Sequence, residues 1–423
     1  MGKIGILGTL ALRAVVEYIF LWLAVWCRNV ETMNSRRICP MAKRSVSLKS
    51  IVEHFEALPD PRHTRNRRHL LGDVLAISVC GVIVGCSGPD AIHRWAKAKE
   101  DWLRTILPLP NGVPSRDCIR RILSALRPEA FQECFQSWIA ACISNTDNTV
   151  QSTIAIDGKA LRRSHDRGRG LGPLHLVSAW ASEHGLSLGQ VATEEKSNEI
   201  TAIPELIDRI DVKGAIVTID AMGCQKNIAK RITDAKGDYV LAVKDNQPKL
   251  HAAVREIFGD ERQAERLHSQ HRQHHTHDNS HGRVDERHYV LARLPKNAPL
   301  RKEWPGVEAV GMAVRTTTRR DGVVTGDTRY FITSRFLSGP RFARAVRGHW
   351  GIENSLHWVL DVVFDEDQTR TRHRRMADNL SWLRRLAISL LKRHPAQTSI
   401  IGKSQIAGWN NDFLMEVLAI QGV

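Results

Sequence analysis

Apolar positions recur at helical spacing from Leu48 to about Asn148. Ile51, Phe55 and Leu58 recur at four and three residues, and Val74 to Val84 and Ile92 to Leu107 give further apolar faces. Pro59-Asp-Pro61, Ser87-Gly-Pro89, the run from Pro108 to Pro114, and Pro128 break these faces into separate helices. The pattern predicts an all-helical domain over 41–150.

At Thr153 the pattern shortens to strands. Thr153-Ile-Ala-Ile156 runs into Asp157-Gly158, and His175 to Trp180 and Leu186 to Val191 read as the next two strands. A helix from Glu199 to Ile210 precedes Ala215-Ile-Val-Thr-Ile219, which runs straight into Asp220, and Tyr239 to Val243 follows another helix. Strands alternating with helices predict an α/β sheet. Residues 245–345 change character again, with polar linkers, a histidine run and strand-like pieces at 287–294, 307–317 and 328–333. Helical spacing returns over 342–364 and 376–391. The expected organisation is therefore a core over 151–395 with a β-rich insertion at about 245–345, and a tail over 396–423.

Residues 4–27 are largely apolar, but Arg13 and Glu17 stand among them. Each charge at bilayer depth would cost about 2.5–3.5 kcal/mol, so no membrane anchor is expected. Met41-Ala-Lys-Arg44 opens the globular pattern, and 1–40 reads as an accessory or mis-assigned upstream extension.

With 423 residues, 42% hydrophobic and 25% charged, the chain has ordinary globular composition and room for two or three domains. Its net charge of +16 favours a polyanionic partner, nucleic acid above all. Eight cysteines without a Cys-x-x-Cys pair argue for reduced thiols in a cytoplasmic protein, not for a disulfide frame or zinc ribbon.

Two acids at the ends of apolar strands suit a metal site, because strand ends converge on one crevice at a sheet rim. Magnesium and manganese take hard oxygen ligands, and buried carboxylates without a cation are costly. Asp157 can equally be a turn residue before Gly158, and Asp220 a helix N-cap. A third acid has to come from elsewhere. Glu353 is a candidate within His349-Trp-Gly-Ile-Glu-Asn-Ser-Leu-His-Trp358, one helical turn from His357; it can also be a surface acid paired with that histidine.

These residues and several phrases around them resemble the DDE transposases of bacterial insertion sequences, in particular the ISAs-type group that includes the H-repeat-associated proteins of Rhs elements. The matching phrases are Leu58-Pro-Asp-Pro-Arg62, Ile156-Asp-Gly-Lys159, Glu195 to Pro204, Ile219-Asp-Ala221, Gly237 to Lys244 with Asn246-Gln247, His281-Gly-Arg283, and His349 to Asn354 running to Leu360-Asp361. The resemblance implies an RNase H-like core in which Asp157, Asp220 and Glu353 hold two Mg2+ or Mn2+ ions. It implies cleavage at the ends of an insertion sequence and strand transfer into target DNA, with the element's terminal inverted repeats and the target as partners, a homodimer in the DNA complex, and a nucleoid-associated place in a bacterial cytoplasm. A degenerate H-repeat-type protein that binds DNA without transposing, and a metal-dependent nuclease, are the alternatives. The wider superfamily carries Tyr, Arg and Lys around its last acid, where this chain has Val346, His349 and Leu360. Arg347, His349 and His357 are then the candidate substitutes as phosphate contacts.

Further basic residues qualify as DNA contacts: Lys159, Arg162 and Arg163 after the first acid, Lys244 after the strand that follows the second, and Arg372, Arg374 and Arg375 leading a C-terminal basic helix with Arg384-Arg385 and Lys392-Arg393. The histidine run, His268, His271, His274, His275, His277, His281 and His288, lacks cysteines and regular ligand spacing and reads as a polar loop without zinc. Trp350, Trp358 and Trp382 at helical spacing read as core.

Overall fold

A computed structural model describes residues 58–135, 152–193, 199–259, 271–280 and 282–418. The upstream extension, His268, His281 and the Glu195-Lys-Ser-Asn198 part of the phrase Glu195 to Pro204 lie outside them. No described helix is long and apolar enough to cross a membrane.

The regular elements described before 135 are helical: α1 (Leu71–Ile83), α2 (Pro89–Ala98), α3 (Glu100–Ile106), α4 (Arg116–Ala125) and a further run over 128–135. Helix α1 is apolar almost all round and buried over Asp73 to Ile83, as a helix enclosed by others must be. Its one buried acid, Asp73, accepts the Leu109 amide at 3.1 Å, and Ser115 caps α4 by accepting the Cys118 amide.

Nine strands then form one sheet in the order β3-β2-β1-β4-β5-β9-β8-β7-β6. Strands β1 (Thr153–Leu161), β2 (Leu174–Ala181) and β3 (Leu186–Thr193) form an antiparallel meander. Strand β4 (Ile216–Ile219) lies parallel to β1, and β5 (Asp238–Val243) parallel to β4, with α5 (Glu199–Arg209) and α6 (Lys226–Asp234) as crossovers. After α7 (Pro248–Gly259), four antiparallel strands extend the same sheet: β6 (His271–Ser280), β7 (Arg283–Arg293), β8 (Ala309–Arg319) and β9 (Val324–Thr333), with the short α8 (Pro299–Glu303) between β7 and β8. Strand β1 is longer than the apolar run Thr153 to Ile156 suggested, because its second half pairs with β2 after β4 has ended.

The histidine run corrects the polar-loop expectation. His271 to Ser280 is an edge strand whose backbone pairs with β7 along its whole length, and His275 stacks on His288 across the ladder at 4.2 Å. Ladder hydrogen bonds, not side-chain burial, hold this strand, so its polarity concealed it.

Helix α9 (Gly339–Ile352) packs on β1, β4, β6 and β7. It approaches β6 so closely that a Cβ at Gly339 would overlap the Gln273 carbonyl. It continues through a π-helical turn, Glu353–His357, into α10 (Trp358–Val362). Helix α11 (Arg374–Arg393) packs on α1, α4 and β3, and α12 (Ile400–Trp409) and α13 (Asn411–Val417) follow. Apolar residues of the N-terminal helices, the sheet and α11, including Ile77, Ile119, Val217 and Leu383, share one buried cluster. Trp382 lies in that cluster, as its spacing predicted, whereas Trp350 and Trp358 are exposed.

Helix α11 is not a solvated basic helix. Every residue from Ala377 to Leu391 is buried, Arg384 and Arg385 included. Both guanidiniums face the buried Glu366 carboxylate, at 3.6 and 3.5 Å, and Ser381 Oγ donates to the same carboxylate at 2.7 Å. Helical spacing placed both arginines correctly in a helix but could not reveal an acid arriving from another segment to neutralise them.

Candidate active site

Strand register brings the first two acids together. Ile156 on β1 is the parallel partner of Ile219 on β4, so Asp157 and Asp220 are the next residues along neighbouring strands. Strand β4 ends there. Asp220 Oδ1 accepts the Gly223 amide at 3.2 Å, and Asp157 Oδ1 accepts the Gly158 amide at 2.9 Å. Asn246 and Gln247 close the turn after Asp220 from outside: their side-chain amides donate to the carbonyls of Ala221, at 2.6 Å, and Cys224, at 3.0 Å. The sequence marked this pair only as part of a family phrase; their positioning task depends on a contact between separate loops.

Helix α9 delivers the third acid. Ser182 Oγ donates to the Gly348 carbonyl at 3.1 Å, and His349 Nδ1 lies 3.4 Å from Thr218 Oγ1, which pins the helix over β1 and β4. One turn later the helix loosens into the π turn, where the Trp358 amide donates to the Glu353 carbonyl. Such turns gather at functional sites because the extra residue re-aims side chains without ending the helix. Glu353 opens this turn and His357 closes it.

Asp157, Asp220 and Glu353 line one cavity of about 410 Å³ together with Lys244, His349 and Trp350. Burial pushes the Asp157 carboxyl up to about 7, and the charges of Asp220, Glu353 and Glu199 push in the same direction. His357 Nδ1 lies 3.5 Å from Asp157 Oδ2, yet burial and the nearby Arg385, Lys159 and His349 hold its pKa down to about 3. The imidazole is therefore neutral at ordinary pH, and the contact is not an ion pair. Burial also lowers the pKa of His349. Arg329 lies over the Trp350 ring at 4.2 Å, and both line the cavity.

The other predicted contacts separate by environment. Lys159 is buried and committed to Asp361 at 2.7 Å and Asp367 at 2.9 Å, with Glu366 at 4.0 Å, so it braces β1 instead of facing a phosphate. Arg162 and Arg163 are exposed, Arg162 pairing with Asp367 at 3.2 Å. Arg347 is exposed and 3.3 Å from Asp278. Arg372 and Arg375 are exposed, while Arg374 donates to the Gly172 carbonyl at 2.7 Å. Arg162, Arg163, Arg347, Arg372, Arg374 and Arg375 lie outside the cavity lining.

Among the described residues, no three His, Cys, Asp or Glu side chains are set closely enough to enclose a metal ion as they stand. The donor chemistry nonetheless suits a hard divalent cation: Asp157, Asp220 and Glu353 are three of five carboxylates in the lining, with Asp245 and Asp327, and burial, aided by the charges of its neighbours, drives Asp157 toward its neutral form.

Residues 148–390 match the family described as Transposase DDE domain, and residues 52–139 match its companion, described as DDE_Tnp_1-associated. The chain is 38% identical over 385 residues to the "H repeat-associated putative transposase YhhI" of Escherichia coli (strain K12), covering 89% of this chain and 100% of that one. It is 38% identical over 387 residues to the "Putative transposase YncI" of Escherichia coli O157:H7, covering 88% and 95%. Among solved structures it is similar to a piggyBac transposase synaptic complex with hairpin DNA, at a TM-score of 0.38 and 10% identity over 86% of this chain and 76% of that one, a likeness too remote to carry argument. With more than half its length inside the first match and a whole relative covered by the second, the chain belongs to the family of DDE transposases.

Proposed function

We propose that this protein cuts DNA at the ends of its element and joins the freed ends to target DNA, with Asp157, Asp220 and Glu353 as the residues that hold two Mg2+ or Mn2+ ions. The observation that carries the reading is the convergence of three carboxylates from β1, the end of β4 and the end of α9 on one cavity. The first five strands support it. A meander β3-β2-β1 continued by parallel β4 and β5, with acids at the matched positions of β1 and β4, is the arrangement expected of an RNase H-like core.

Divalent ions, when bound, supply Lewis acidity to activate an attacking water or 3′-hydroxyl and to stabilise the leaving oxygen of an in-line displacement. The chain's own groups prepare that chemistry. Asp157, Asp220 and Glu353 supply oxygens from three separate elements, and positive charge in the cavity would favour the ionised form of Asp157, which burial otherwise opposes. Lys244 and Arg329 put fixed positive charge on the cavity wall, where a phosphate backbone would enter. His349 holds Glu353's helix to β4. The net charge of +16 favours binding of any duplex, and the helices before 135 are assigned the recognition of terminal repeats. Two copies are needed to pair two element ends, which makes a homodimer on DNA the working assembly.

The test is cleavage and strand transfer on a labelled terminal-repeat duplex with Mg2+ or Mn2+, run beside a binding assay. Asp157→Asn, Asp220→Asn and Glu353→Gln should each abolish both reactions and retain DNA binding, and combining them should add little. Normal cutting by all three variants would remove the proposal.

A further inference from the structure

Strand β8 leaves the core and β9 returns to it: Ala309 to Gly311 and Phe331 to Thr333 are buried, whereas Thr318, Arg319 and Val324 to Thr328 are exposed. Residues directly opposite in a ladder point to the same side, so register assigns each side chain a face. Arg283 on β7 stands opposite Arg319 on β8, and Arg287 opposite Arg315; Arg315 in turn stands opposite Asp327 on β9, two residues from Arg329. Arg272 and Arg293 share that parity, and no arginine or lysine of β6–β9 lies on the other face. Near the core this face is covered by α9, whose Phe342 packs on Tyr289 and Phe331. Farther out it is open.

Like charges directly opposite destabilise a sheet. Two such pairs in succession are held here by Asp285, 3% exposed, whose carboxylate lies 3.4 Å from Arg283, 3.1 Å from Arg287 and 2.9 Å from Arg315. Asp278 is likewise shared, between Arg287 and Arg347 of α9. Carboxylates shared in this way leave positive charge in excess. A guanidinium carries five N–H donors, so one that holds Asp285 keeps others for a second anion. Arg283 and Arg315 expose 50% and 42% of their side chains, and Arg319 is exposed.

The face runs into the catalytic cavity, since Asp327 and Arg329 line it and Arg329 lies over the Trp350 ring. From Ala313, opposite Arg329, to Arg319 is six residues, about 20 Å of strand. A duplex presents about six phosphates per strand over that length. We propose that the arginine face of β7–β9 is a track for the phosphate backbone of duplex DNA leading out of the cavity, with Asp285 as the positioning residue that spreads three guanidiniums along it. The inference rests on the reading of the cavity as the place where DNA is cut.

Equilibrium binding of the full chain to a terminal-repeat duplex and to an unrelated duplex, over a range of KCl and without divalent metal, gives a readout independent of cleavage. Arg315→Ala combined with Arg319→Ala should weaken binding to both duplexes alike and flatten the dependence of log K on log salt by about 2. Asn279→Glu combined with Thr318→Glu lowers the net charge equally but on the other face, where both residues flank Val284, and should leave the slope unchanged. An equal loss in the two double variants would mean that net charge alone acts, and would overturn the proposal. Should unpairing Asp285 lower the urea unfolding midpoint, Arg319→Ala alone decides: a slope flatter by about 1 supports the track, and the parental slope overturns it and leaves the face to an acidic protein surface. Cleavage separates the two readings. If the arginine variants bind as the parent does while Asp220→Asn still abolishes cutting, only the track falls; if Asp220→Asn cuts normally while the arginine variants lose binding, the reading of the cavity falls and the backbone track stands.

Discussion

Ile156 stands opposite Ile219 in parallel register, and this single pairing aligns the acids that follow them. The alignment has a thermodynamic consequence at Asp157. In the unfolded chain its proton leaves near the ordinary 3.8, whereas in the fold it is held to about 7. Between those values the folded state binds the extra proton, so the stability this group contributes is present below about pH 4 and is lost as pH rises through 7. Asp157→Asn removes that loss and should be more stable than the parent protein at pH 8 by at least about 1 kcal/mol, with little difference at pH 4. Urea unfolding at the two pH values measures it. Parallel curves would mean that Asp157 ionises as an ordinary aspartate.

Cation binding should reverse that penalty. If the acids hold Mg2+, saturating the ion at pH 8 should raise the unfolding free energy of the parent protein by about 2.7 kcal/mol at a hundred times the dissociation constant. Asp220→Asn should show little of this gain. An equal gain in both proteins would put the ion elsewhere.

Glu366 is the acid most easily confused with Glu353, lying 13 residues downstream in the same acidic stretch. Its environment is different: it is fully buried, and Arg384 and Arg385, buried with it, hold its carboxyl below the usual range despite desolvation. Glu366→Gln strands two buried guanidiniums and should cost about 3–5 kcal/mol or prevent folding. Glu353 is exposed, and Glu353→Gln should stay within about 0.5 kcal/mol of the parent. Chemical denaturation of the two variants distinguishes a structural acid from a ligand, and the reverse order would exchange their roles.

What could be read from the sequence follows from how local the cause was. Asp157 and Asp220 were visible because an apolar run that ends in an acid is a local pattern, and Glu353 because it sits inside a dense family phrase. Glu199 lay in a quoted phrase too, but its close approach to Gly158, forty-one residues earlier, is made by packing between separate elements and has no local signal. The burial of Arg384 and Arg385 depends on Glu366, and the commitment of Lys159 on Asp361 and Asp367, so counting charges assigned all three cations to the surface. The histidine strand failed for another reason: an edge strand that is polar on both faces has no alternation to detect.

The same environments divide the basic residues after Asp157. Arg163 is exposed, and if it touches DNA backbone, Arg163→Ala should weaken binding to all duplexes alike and reduce the salt slope by about 1. Lys159→Ala should do neither, and should destabilise the fold by unpairing Asp361 and leaving Asp367 with Arg162 alone. A salt titration of binding for each variant tests this. A slope change in Lys159→Ala with unaltered stability would restore it as a phosphate contact.

The π turn offers a test of how Glu353 is aimed. An i to i+5 turn holds one residue more than the surrounding helix needs, and here it spans Glu353 to His357 between two regular segments. Deleting Asn354, an exposed residue inside it, should let α9 and α10 join as an ordinary helix. Ile352, Leu356, Val359 and Leu360 are buried and anchor both sides, so the helix should persist and the unfolding midpoint should hold or rise. Glu353 and His357, however, would no longer meet Asp157 from the two ends of a widened turn. A misplacement of about 1 Å at a reacting centre costs about a hundred-fold in rate. Cleavage in the deletion variant should therefore fall by at least that factor while DNA binding and helical circular dichroism remain. Retained cleavage in a folded deletion variant would show that the widened turn is incidental to the position of the third acid. Loss of folding would show instead that it is a packing device, needed to keep α9 on β1 and α10 beside it at the same time.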